Sequence, residues 1–441
     1  MKSNNNKENK NTKLSVETAW LKILEKYNII EEVEKNGLFY IKASQIKEFK
    51  EPRLMSKWDS SEQLPKPLKD NKINILPDSR SSYVIGDFLL YKEIPELLEH
   101  VNQMPFIELP EYETIDVDNI TSESNAINVL ILSRILDDFL GTQENVETFN
   151  GRMGTGQFDF FVDSVKKLKR HIYVNSAQCE IDGGFENDDS VVILEAKNVV
   201  HKDFHVRQLY YPYRVWKNKV KKPIRLVFSI YSNKIYRLFE YAFEDINDYS
   251  SIKLLQSKNY SLENTTITII DILDTRKKTK VKYNDDMNDT SLAPFIQADN
   301  FDRVISLLEN LYESPMSTYD VAELMQFQLR QSDYYFNAGK YLGLFEKIEE
   351  DKQVVISLTE LGKQVYKLDY KNRQLKLVSL MLEHQIISEF FDYCIKNGEL
   401  PTKQEIENRM RELNVCGESL INRRASSVFS WLHWLFDLVN R

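Results

Sequence analysis

The apolar run VVIL at residues 191–194 constrains the fold of this chain more than any other stretch. Four consecutive aliphatic residues bounded by turn formers are typical of a strand that is buried on both faces of a sheet. A second apolar-rich segment, 177–181, precedes the run, and glycines and acidic residues lie between the two. The sequence therefore predicts a β-hairpin over residues 176–198, joined by an acidic turn.

Three polar residues stand where these two strands end. Asp182 ends the first strand, and Glu195 and Lys197 follow the apolar run. Positions two apart point to the same face of a strand, so Glu195 and Lys197 project together, Ala196 projects to the other side, and Asp182 can reach the same point across the hairpin. Two carboxylates beside an ammonium are what Mg²⁺ binding and activation of a water for phosphodiester hydrolysis require. A solvated acidic hairpin would satisfy the same spacing.

Length and composition indicate a folded protein of several domains. The chain has 441 residues, of which 42% are hydrophobic and 28% charged, and about three domains are expected at this length. No apolar run approaches the roughly 20 residues that span a bilayer, and the N-terminus lacks an apolar signal segment, so a cytoplasmic protein without membrane contact is expected. Cys179, Cys394 and Cys416 are too widely spaced for a zinc or disulfide pattern.

The distribution of charge points to a nucleic-acid partner. The net charge is −9, yet residues 201–225 hold eight Lys or Arg and one acid, Asp203, a local charge of +7. Beside a candidate metal site, such a stretch is expected to contact phosphates, although a charge run is otherwise a solvated face.

The N-terminal part of the chain divides into a tail and a domain. Residues 1–13 are of low complexity and are predicted to be a disordered tail. Residues 14–118 are predicted to form an α/β domain that recognises DNA. Its segment 51–88 mixes prolines with exposed-type polar residues, as recognition loops do, and an ordinary surface loop has the same composition.

Residues 119–273 are predicted to form the central domain. A helix is expected over 122–140, capped by Ser122 or Ser124 and ended by Gly141. Strands 158–162 and 172–174, the hairpin, a helix interrupted at Pro212, and strands 224–231 and 234–241 follow. Helix, hairpin, helix and strand in this order are typical of an α/β core. The glycines at 151–156 match no nucleotide-binding loop and are interpreted as a turn.

The remaining residues are predicted to be mainly helical. A polar linker is expected over 274–292. Three helices (301–312, 318–325 and 331–342) and a hairpin (345–348 and 354–358, with a wing at 349–353) make residues 293–368 similar to a winged-helix domain. A helix at 375–397 and a helical pair at 402–413 and 418–436 suggest a second helical, helix-turn-helix-like domain over 369–441.

The hairpin resembles the catalytic signature of the PD-(D/E)xK nucleases, with Ile181-Asp182 in place of Pro-Asp and Glu195-Ala196-Lys197 as the (D/E)xK. The whole chain resembles a family of bacterial type II restriction endonucleases that have such a core and C-terminal winged-helix modules. Four stretches carry this resemblance: EPRLMSK…QLP…ILPDSR…YVIG from residue 51, GRMGTGQFDF from 151, EIDGG…ILEAKN from 180, and YYFNAGKYLGL from 334.

The resemblance implies an α/β (α+β) multi-domain fold with a mixed nuclease sheet flanked by helices. It also implies double-stranded DNA as substrate, Mg²⁺ as cofactor and a cognate DNA methyltransferase as genetic partner. Cutting both strands suggests a homodimer or sequential nicking.

Roles for individual residues follow from the residues and the resemblance together. Asp182, Glu195 and the carbonyl of Ala196 are predicted to bind Mg²⁺, and Lys197 is predicted to orient or deprotonate the attacking water. In nucleases of this kind a Gln from the following helix lies near the scissile phosphate, which makes Gln208 a candidate. An acid from the preceding helix is also common, so Glu123 either joins the site or only favours the helix dipole.

Cationic residues along the chain are predicted to contact DNA: Arg53, Lys57, Arg80, Lys202, Arg207, Arg214, Lys217, Arg330, Lys340, Arg423 and Arg424. Two other functions fit the same motifs. One is a winged-helix DNA-binding regulator with a degenerate nuclease core, and the other is a repair or structure-selective nuclease.

Overall fold

The chain was analysed as a computed structural model, which describes residues 14–97, 100–104, 112–117, 119–120, 122–283 and 295–441. The predicted disordered tail, residues 1–13, lies outside the described residues, as does the part of the predicted linker from residue 284 onward. The described chain is a mixed α/β, multi-domain protein. None of its described helices combines the length and apolar character needed to cross a bilayer.

Residues 14–86 form an N-terminal unit of short helices and a small sheet. Its elements are α1 (Val16–Lys26), α2 (Ile29–Asn36), β1 (Leu38–Lys42), α3 (Ala43–Lys47), α4 (Pro52–Ser56), α5 (Lys66–Asp70), β2 (Asn74–Pro77) and β3 (Ser82–Gly86). Helix α1 begins after Ser15, whose hydroxyl accepts the Thr18 N–H. Its apolar spacing directs Trp20 and Ile23 into a core with the antiparallel sheet β1–β3–β2.

The central part of the chain contains most of the strands. Its elements are β4 (Tyr91–Glu93), β5 (Val101–Gln103), α6 (Glu123–Leu132), α7 (Ile135–Leu140), β6 (Val146–Gly154), β7 (Gln157–Asp163), β8 (Lys169–Asn175), β9 (Gln178–Glu186), β10 (Val191–Lys197), β11 (Asp203–His205), α8 (Arg207–Lys217), β12 (Ile224–Ser232), β13 (Ile235–Phe243), β14 (Ile252–Ser261) and α9 (Ile269–Lys278).

Seven of these strands form one mixed sheet in the order β5–β14–β13–β12–β10–β9–β6. Strand β10 lies between β9, which is antiparallel to it, and β12, which is parallel. All of its residues are buried. Ile193 packs in the layer that contains α8, whereas Val192 and Leu194 pack in the layer that contains α6 and α7. The prediction that this run is buried on both faces is confirmed.

Two glycines that were predicted to lie in the hairpin turn belong to strand β9. A side chain at Gly184 would place its Cβ 2.3 Å from the ring of Phe149, and one at Gly183 would lie 2.8 Å from the ring of Phe185. The glycines are therefore required by aromatic rings that lie on the strand and not by a turn. As a result, Asp182 lies inside β9 and not at its end.

Two further elements differ from the prediction. Strands β7 and β8 form a separate two-stranded sheet, and one edge of the central sheet is β6, whose glycine-rich end was interpreted as a turn. The helix expected over 122–140 is two helices, because Arg134 adopts a left-handed conformation with φ of 61° between α6 and α7. Gly141 ends α7, as predicted.

The C-terminal part is helical with one hairpin. Its elements are α10 (Phe301–Glu313), α11 (Thr318–Leu324), α12 (Leu329–Tyr341), β15 (Phe345–Glu350), β16 (Gln353–Leu358), α13 (Glu360–Tyr366), α14 (Tyr370–Leu382), α15 (Gln385–Asn397), α16 (Lys403–Glu412) and α17 (Glu418–Asp437). The predicted order of three helices and a hairpin is present. The hairpin packs closely on α12, since a Cβ at Gly339 would lie 1.9 Å from the Phe345 ring.

The predicted wing is shorter than expected, and the predicted linker begins inside a helix. The turn between β15 and β16 consists of Asp351 and Lys352, both with positive φ, so most of 349–353 is strand. The predicted linker, 274–292, begins inside α9, which is stabilised at its start by a capping box of Thr268 and Asp271.

The helix expected over 375–397 is two helices, α14 and α15. They are separated where His384 leaves the helical conformation and its ring stacks on Tyr341.

A buried ion pair joins the central sheet to the C-terminal helices. Arg373 of α14 donates to Glu309 of α10 at 2.8 Å, and its side chain is 1% exposed. Glu309 also accepts the backbone N–H of Asn233 at 2.9 Å and the hydroxyl of Ser232 at 3.1 Å, both at the β12–β13 turn. The two parts of the chain are thus held together by one carboxylate with several donors.

We expect Arg373→Met to lower the free energy of unfolding by about 3–5 kcal/mol, because it leaves the Glu309 carboxylate buried without its cation. Denaturation in urea, followed by tryptophan fluorescence, measures this loss. Lys376→Met on the same helix is the control and should change stability by no more than about 0.5 kcal/mol. Equal effects of the two substitutions would contradict the assignment.

Candidate functional site

The predicted catalytic residues converge at the end of strand β10. Lys197 Nζ lies 2.6 Å from Glu195 Oε1, 3.0 Å from the carbonyl oxygen of Ala196 and 4.0 Å from Asp182 Oδ2. Glu195 and Lys197 are 6% and 9% exposed. Both side chains project from the same face of the strand, as the spacing predicted, and they do so inside the protein and not on a wet hairpin.

Asp182 takes part in the site through the ladder of the hairpin. The backbone pairs between β9 and β10 end at Gly183 and Leu194. One residue further on, the carboxylate of Asp182 accepts the N–H of Ala196 at 3.0 Å. A side chain thus replaces the backbone partner where the strands separate, and this bond aims the Asp182 carboxylate at Lys197.

Gln208 reaches the Glu195 carboxylate from helix α8. Its amide nitrogen donates to Glu195 Oε1, the oxygen that also accepts from Lys197. Its amide oxygen is buried, and none of the described residues donates to it. Pro212, four residues on, lacks the N–H that would bond to the backbone carbonyl of Gln208. The neighbouring Tyr210 and Tyr211 are core residues and do not form an open stacking surface.

Glu123 is the first residue of α6, after the N-cap Ser122. Burial raises the pKa of its carboxyl above the ordinary value of 4.5, and the charges of Lys197 and Asp182 act on it in opposite directions. Glu123 therefore lies close enough to the cluster to share its electrostatics, in addition to its place at the helix start.

The charges of the cluster do not balance. Burial raises the pKa of Glu195 well above its usual range. The ammonium of Lys197 lowers this pKa, and the charge of Asp182 raises it. Burial also acts against the charge of Lys197, but Glu195, Glu123 and Asp182 hold its pKa above the usual value, so Lys197 remains protonated. The charges of three carboxyls act on one ammonium, and an additional cation or proton would stabilise the cluster.

Asp59, an acid of the N-terminal unit, also acts on the site and was not predicted from the sequence. Its charge raises the pKa of both Glu195 and Glu123. Its carboxylate lies 3.7 Å from Lys57 Nζ and 4.0 Å from the guanidinium of Arg207. No local pattern around Asp59 marks it, because it is close to the hairpin only in the folded chain.

Buried hydrogen bonds fix the loop that carries Asp59. Asp203 of β11 accepts from the hydroxyl of Ser60 and the N–H of Ser61, each at 2.8 Å. The N–H of His205 donates to the Asp59 carbonyl at 2.9 Å. Asp203, the one acid within the basic stretch 201–225, therefore fastens the N-terminal loop that carries Asp59 to β11.

The oxygen donors of the cluster suit a hard cation. Among the described residues, no three His, Cys, Asp or Glu side chains form a group that could hold a metal ion by itself. The predicted donors are two carboxylates, Asp182 and Glu195, and the carbonyl of Ala196. Mg²⁺ is commonly bound by one or two carboxylates while it keeps several waters, so this set fits it. The Lys197 ammonium already contacts two of these donors, and a metal ion would compete with it.

The cationic residues predicted to contact DNA fall into three groups. Arg53, Arg80, Lys202, Lys217 and Arg330 are exposed, and Lys340 and Arg424 are half-buried. Lys57 and Arg207 lie beside Asp59, next to the cluster. Arg214 and Arg423 are engaged within the protein.

The bonds of this last group are structural. Arg214 donates to the Tyr210 hydroxyl at 3.0 Å and to the Ile246 carbonyl at 2.8 Å. Arg423 pairs with Asp299 at 2.6 Å. These contacts attach helices α8 and α17 to their neighbours.

The basic stretch 201–225 is not a continuous exposed strip. Lys222 donates to Glu186 at 2.7 Å, and Arg225 pairs with Glu240 at 2.6 Å inside the sheet. These two cations and Arg214 stabilise the fold, so the charge of +7 overstates what the stretch can offer to phosphates.

Comparison with known protein families divides the chain into three parts. Residues 17–85, 86–261 and 303–440 match models that are each described as a domain of unknown function (DUF6996, DUF6997 and DUF7226). No curated protein and no solved structure matches the chain. Glu123, Asp182, Glu195, Lys197 and Gln208 all lie in the second match, whereas Lys57 and Asp59 lie in the first. Residues of two matched domains therefore build the site.

The raised pKa of Glu123 predicts how its substitution changes stability with pH. A carboxyl whose pKa is higher in the folded state stabilises the fold below about pH 4.5, and this contribution is lost as the pH rises through the folded value. Without divalent cations, the melting temperature of Glu123→Gln relative to the natural protein should therefore rise between about pH 4 and about pH 8. Glu31→Gln, at an exposed first-turn acid of α2, is the control and should show no such trend. A flat difference for Glu123→Gln would place this carboxyl outside the cluster.

Proposed function

We propose that this protein is a Mg²⁺-dependent endodeoxyribonuclease that hydrolyses double-stranded DNA at a short specific sequence, as type II restriction endonucleases do. The observation that carries the proposal is the buried Glu195–Lys197 pair at the end of a central strand, with the Asp182 carboxylate 4.0 Å from the ammonium and the charge of Glu123 acting on it. A purely structural role would not require acids in excess of their cation, since such a cluster is unfavourable for folding.

The cluster supplies the groups that phosphodiester hydrolysis needs. Asp182, Glu195 and the Ala196 carbonyl would hold Mg²⁺, which when bound lowers the pKa of a water and neutralises phosphate charge. Lys197 is protonated, so it acts by orienting the water and stabilising the negative charge that develops on the phosphate, and not as a base. Gln208 holds the Glu195 carboxylate, and its free amide oxygen can accept a hydrogen bond from a water.

The surroundings of the cluster support DNA as the substrate. Lys57 and Arg207 flank it, and exposed cations such as Arg53 and Arg80 are available to phosphates. The three helices and hairpin that begin at α10 support a winged-helix module, and the hairpin and its sheet support a PD-(D/E)xK core. The proposal includes a cognate DNA methyltransferase, a cytoplasmic location, and a homodimer or sequential nicking to cut both strands.

Digestion of plasmid DNA tests the proposal. With Mg²⁺, the natural protein should yield discrete fragments, and Asp182→Asn and Lys197→Ala should each lower the cleavage rate at least about 10²-fold while DNA binding persists. Lys222→Ala removes a contact with Glu186 at the turn end of the hairpin, away from the cluster, and is the control that should cut normally.

Three other results would redirect the assignment. Cleavage by either variant at the natural rate would show that the site is misassigned. Salt-sensitive DNA binding without cleavage would favour a DNA-binding regulator. Cleavage of branched but not of intact DNA would favour a structure-selective nuclease.

A further inference from the structure

A large cavity lies apart from the carboxylate cluster, where all three parts of the chain meet. Its volume is about 950 Å³, within the range of roughly 300–1,000 Å³ that is usual for small-molecule sites. Residues 200–202, which follow β10, form part of its wall, together with Arg237 of β13 and Arg303 of α10. None of the predicted catalytic residues lines it.

Most arginines of this lining have a carboxylate partner. Arg303 pairs with Glu62 and donates to the Val200 carbonyl at 3.0 Å. Arg441 pairs with Asp302 at 3.1 Å. In the same way, the Arg423–Asp299 pair described above lies in this lining. The positive charges of these three residues are neutralised by the fold.

Arg237 is different. Within the described residues, no carboxylate forms an ion pair with it, and its hydrogen bond goes to the carbonyl of Pro95. Its guanidinium lies 5.4 Å from the centroid of the Phe239 ring, and its Nε is buried without a partner. Burial lowers the pKa of Arg237 to about 10. The charge of Asp302 raises this pKa, and the charge of Arg441 lowers it. A buried guanidinium without an anion is unfavourable, and a bound anion would offset this.

The rest of the lining indicates the kind of anion. Tyr334 and Phe429 are half-buried, and with Trp434 they give the cavity flat aromatic walls that suit a planar ring. Glu93 and Glu96 are exposed and make the open part of the lining acidic. This negative charge disfavours a polyanion such as nucleic acid, whereas the carboxylates can accept hydrogen bonds from the amino groups of a base.

We propose that this cavity binds a nucleoside monophosphate, with the phosphate on Arg237 and the base between the aromatic side chains. A guanidinium binds phosphate through two parallel hydrogen bonds, and Arg237 has donors to offer. Binding at this cavity does not depend on the proposed cleavage of DNA.

Isothermal titration calorimetry of the full-length protein tests this site with adenosine monophosphate, adenosine and inorganic phosphate. The monophosphate should bind saturably at one site per chain, and adenosine and phosphate should each bind at least about tenfold more weakly, since each lacks half of the contacts. Absence of saturable binding of the monophosphate would overturn the proposal. Equal affinity for adenosine would also overturn it, because the arginine would then have no part in binding.

Two variants locate the site. Arg237→Gln removes the charge, and Ser430→Trp fills the cavity from α17 without altering a buried charge. Each should weaken binding of the monophosphate at least about tenfold, whereas Arg411→Gln, on the exposed side of α16, should leave it unchanged. If Arg237→Gln does not fold, Ser430→Trp decides alone. Natural affinity in a folded variant of either kind would overturn the proposal.

Discussion

The candidate site depends on the contact between the Lys197 ammonium and the Glu195 carboxylate, 2.6 Å apart in the protein interior. Removing two charges from water is costly, and it is tolerated only where other groups complete their hydrogen bonds. Gln208 and the Ala196 carbonyl do so here. The strand positions both side chains because its parallel and antiparallel neighbours fix it from either side.

The contact does not neutralise the site, and this is why we assign it a chemical role. Asp182 and Glu123 add carboxyls from β9 and α6, so the cluster contains more carboxyls than cations. The imbalance destabilises the fold and favours a bound cation. Active sites commonly combine strong burial with such like-charge pairs, whereas structural ion pairs are usually balanced.

The hairpin does not form the site alone. The N-terminal loop brings Asp59, held by Asp203 through Ser60 and Ser61. The C-terminal helices are fastened to the same sheet through Glu309. A residue of the N-terminal unit therefore shares the electrostatics of the cluster on β10.

Local patterns in the sequence were sufficient for the central strand and for the residues that project from it. Period-two spacing placed Glu195 and Lys197 together, and the apolar run before them predicted a buried strand. Patterns failed where close packing or the backbone conformation of a single residue decides the structure. Gly183 and Gly184 accommodate aromatic rings and do not form a turn, and Arg134 divides a continuous apolar helix by its backbone conformation alone.

Several cations bind partners that are remote in sequence. Arg423 of α17 was predicted to contact DNA, and its guanidinium donates to Asp299, which precedes α10. The basic stretch 201–225 similarly uses several cations to bind acids elsewhere in the sheet. These cations carry no local mark of their partners, so the ion pairs could not be predicted from composition.

The most direct test of the excess negative charge is the effect of Mg²⁺ on thermal stability. At about pH 8, where the carboxyls are most ionised, saturating Mg²⁺ should raise the melting temperature of the natural protein, because binding to the folded state stabilises it by mass action. Asp182→Asn should lose most of this shift, whereas Asp333→Asn, at an exposed acid of α12, should keep it. An equal shift in the natural protein and in Asp182→Asn would contradict the assignment of this cluster as a metal-dependent active site.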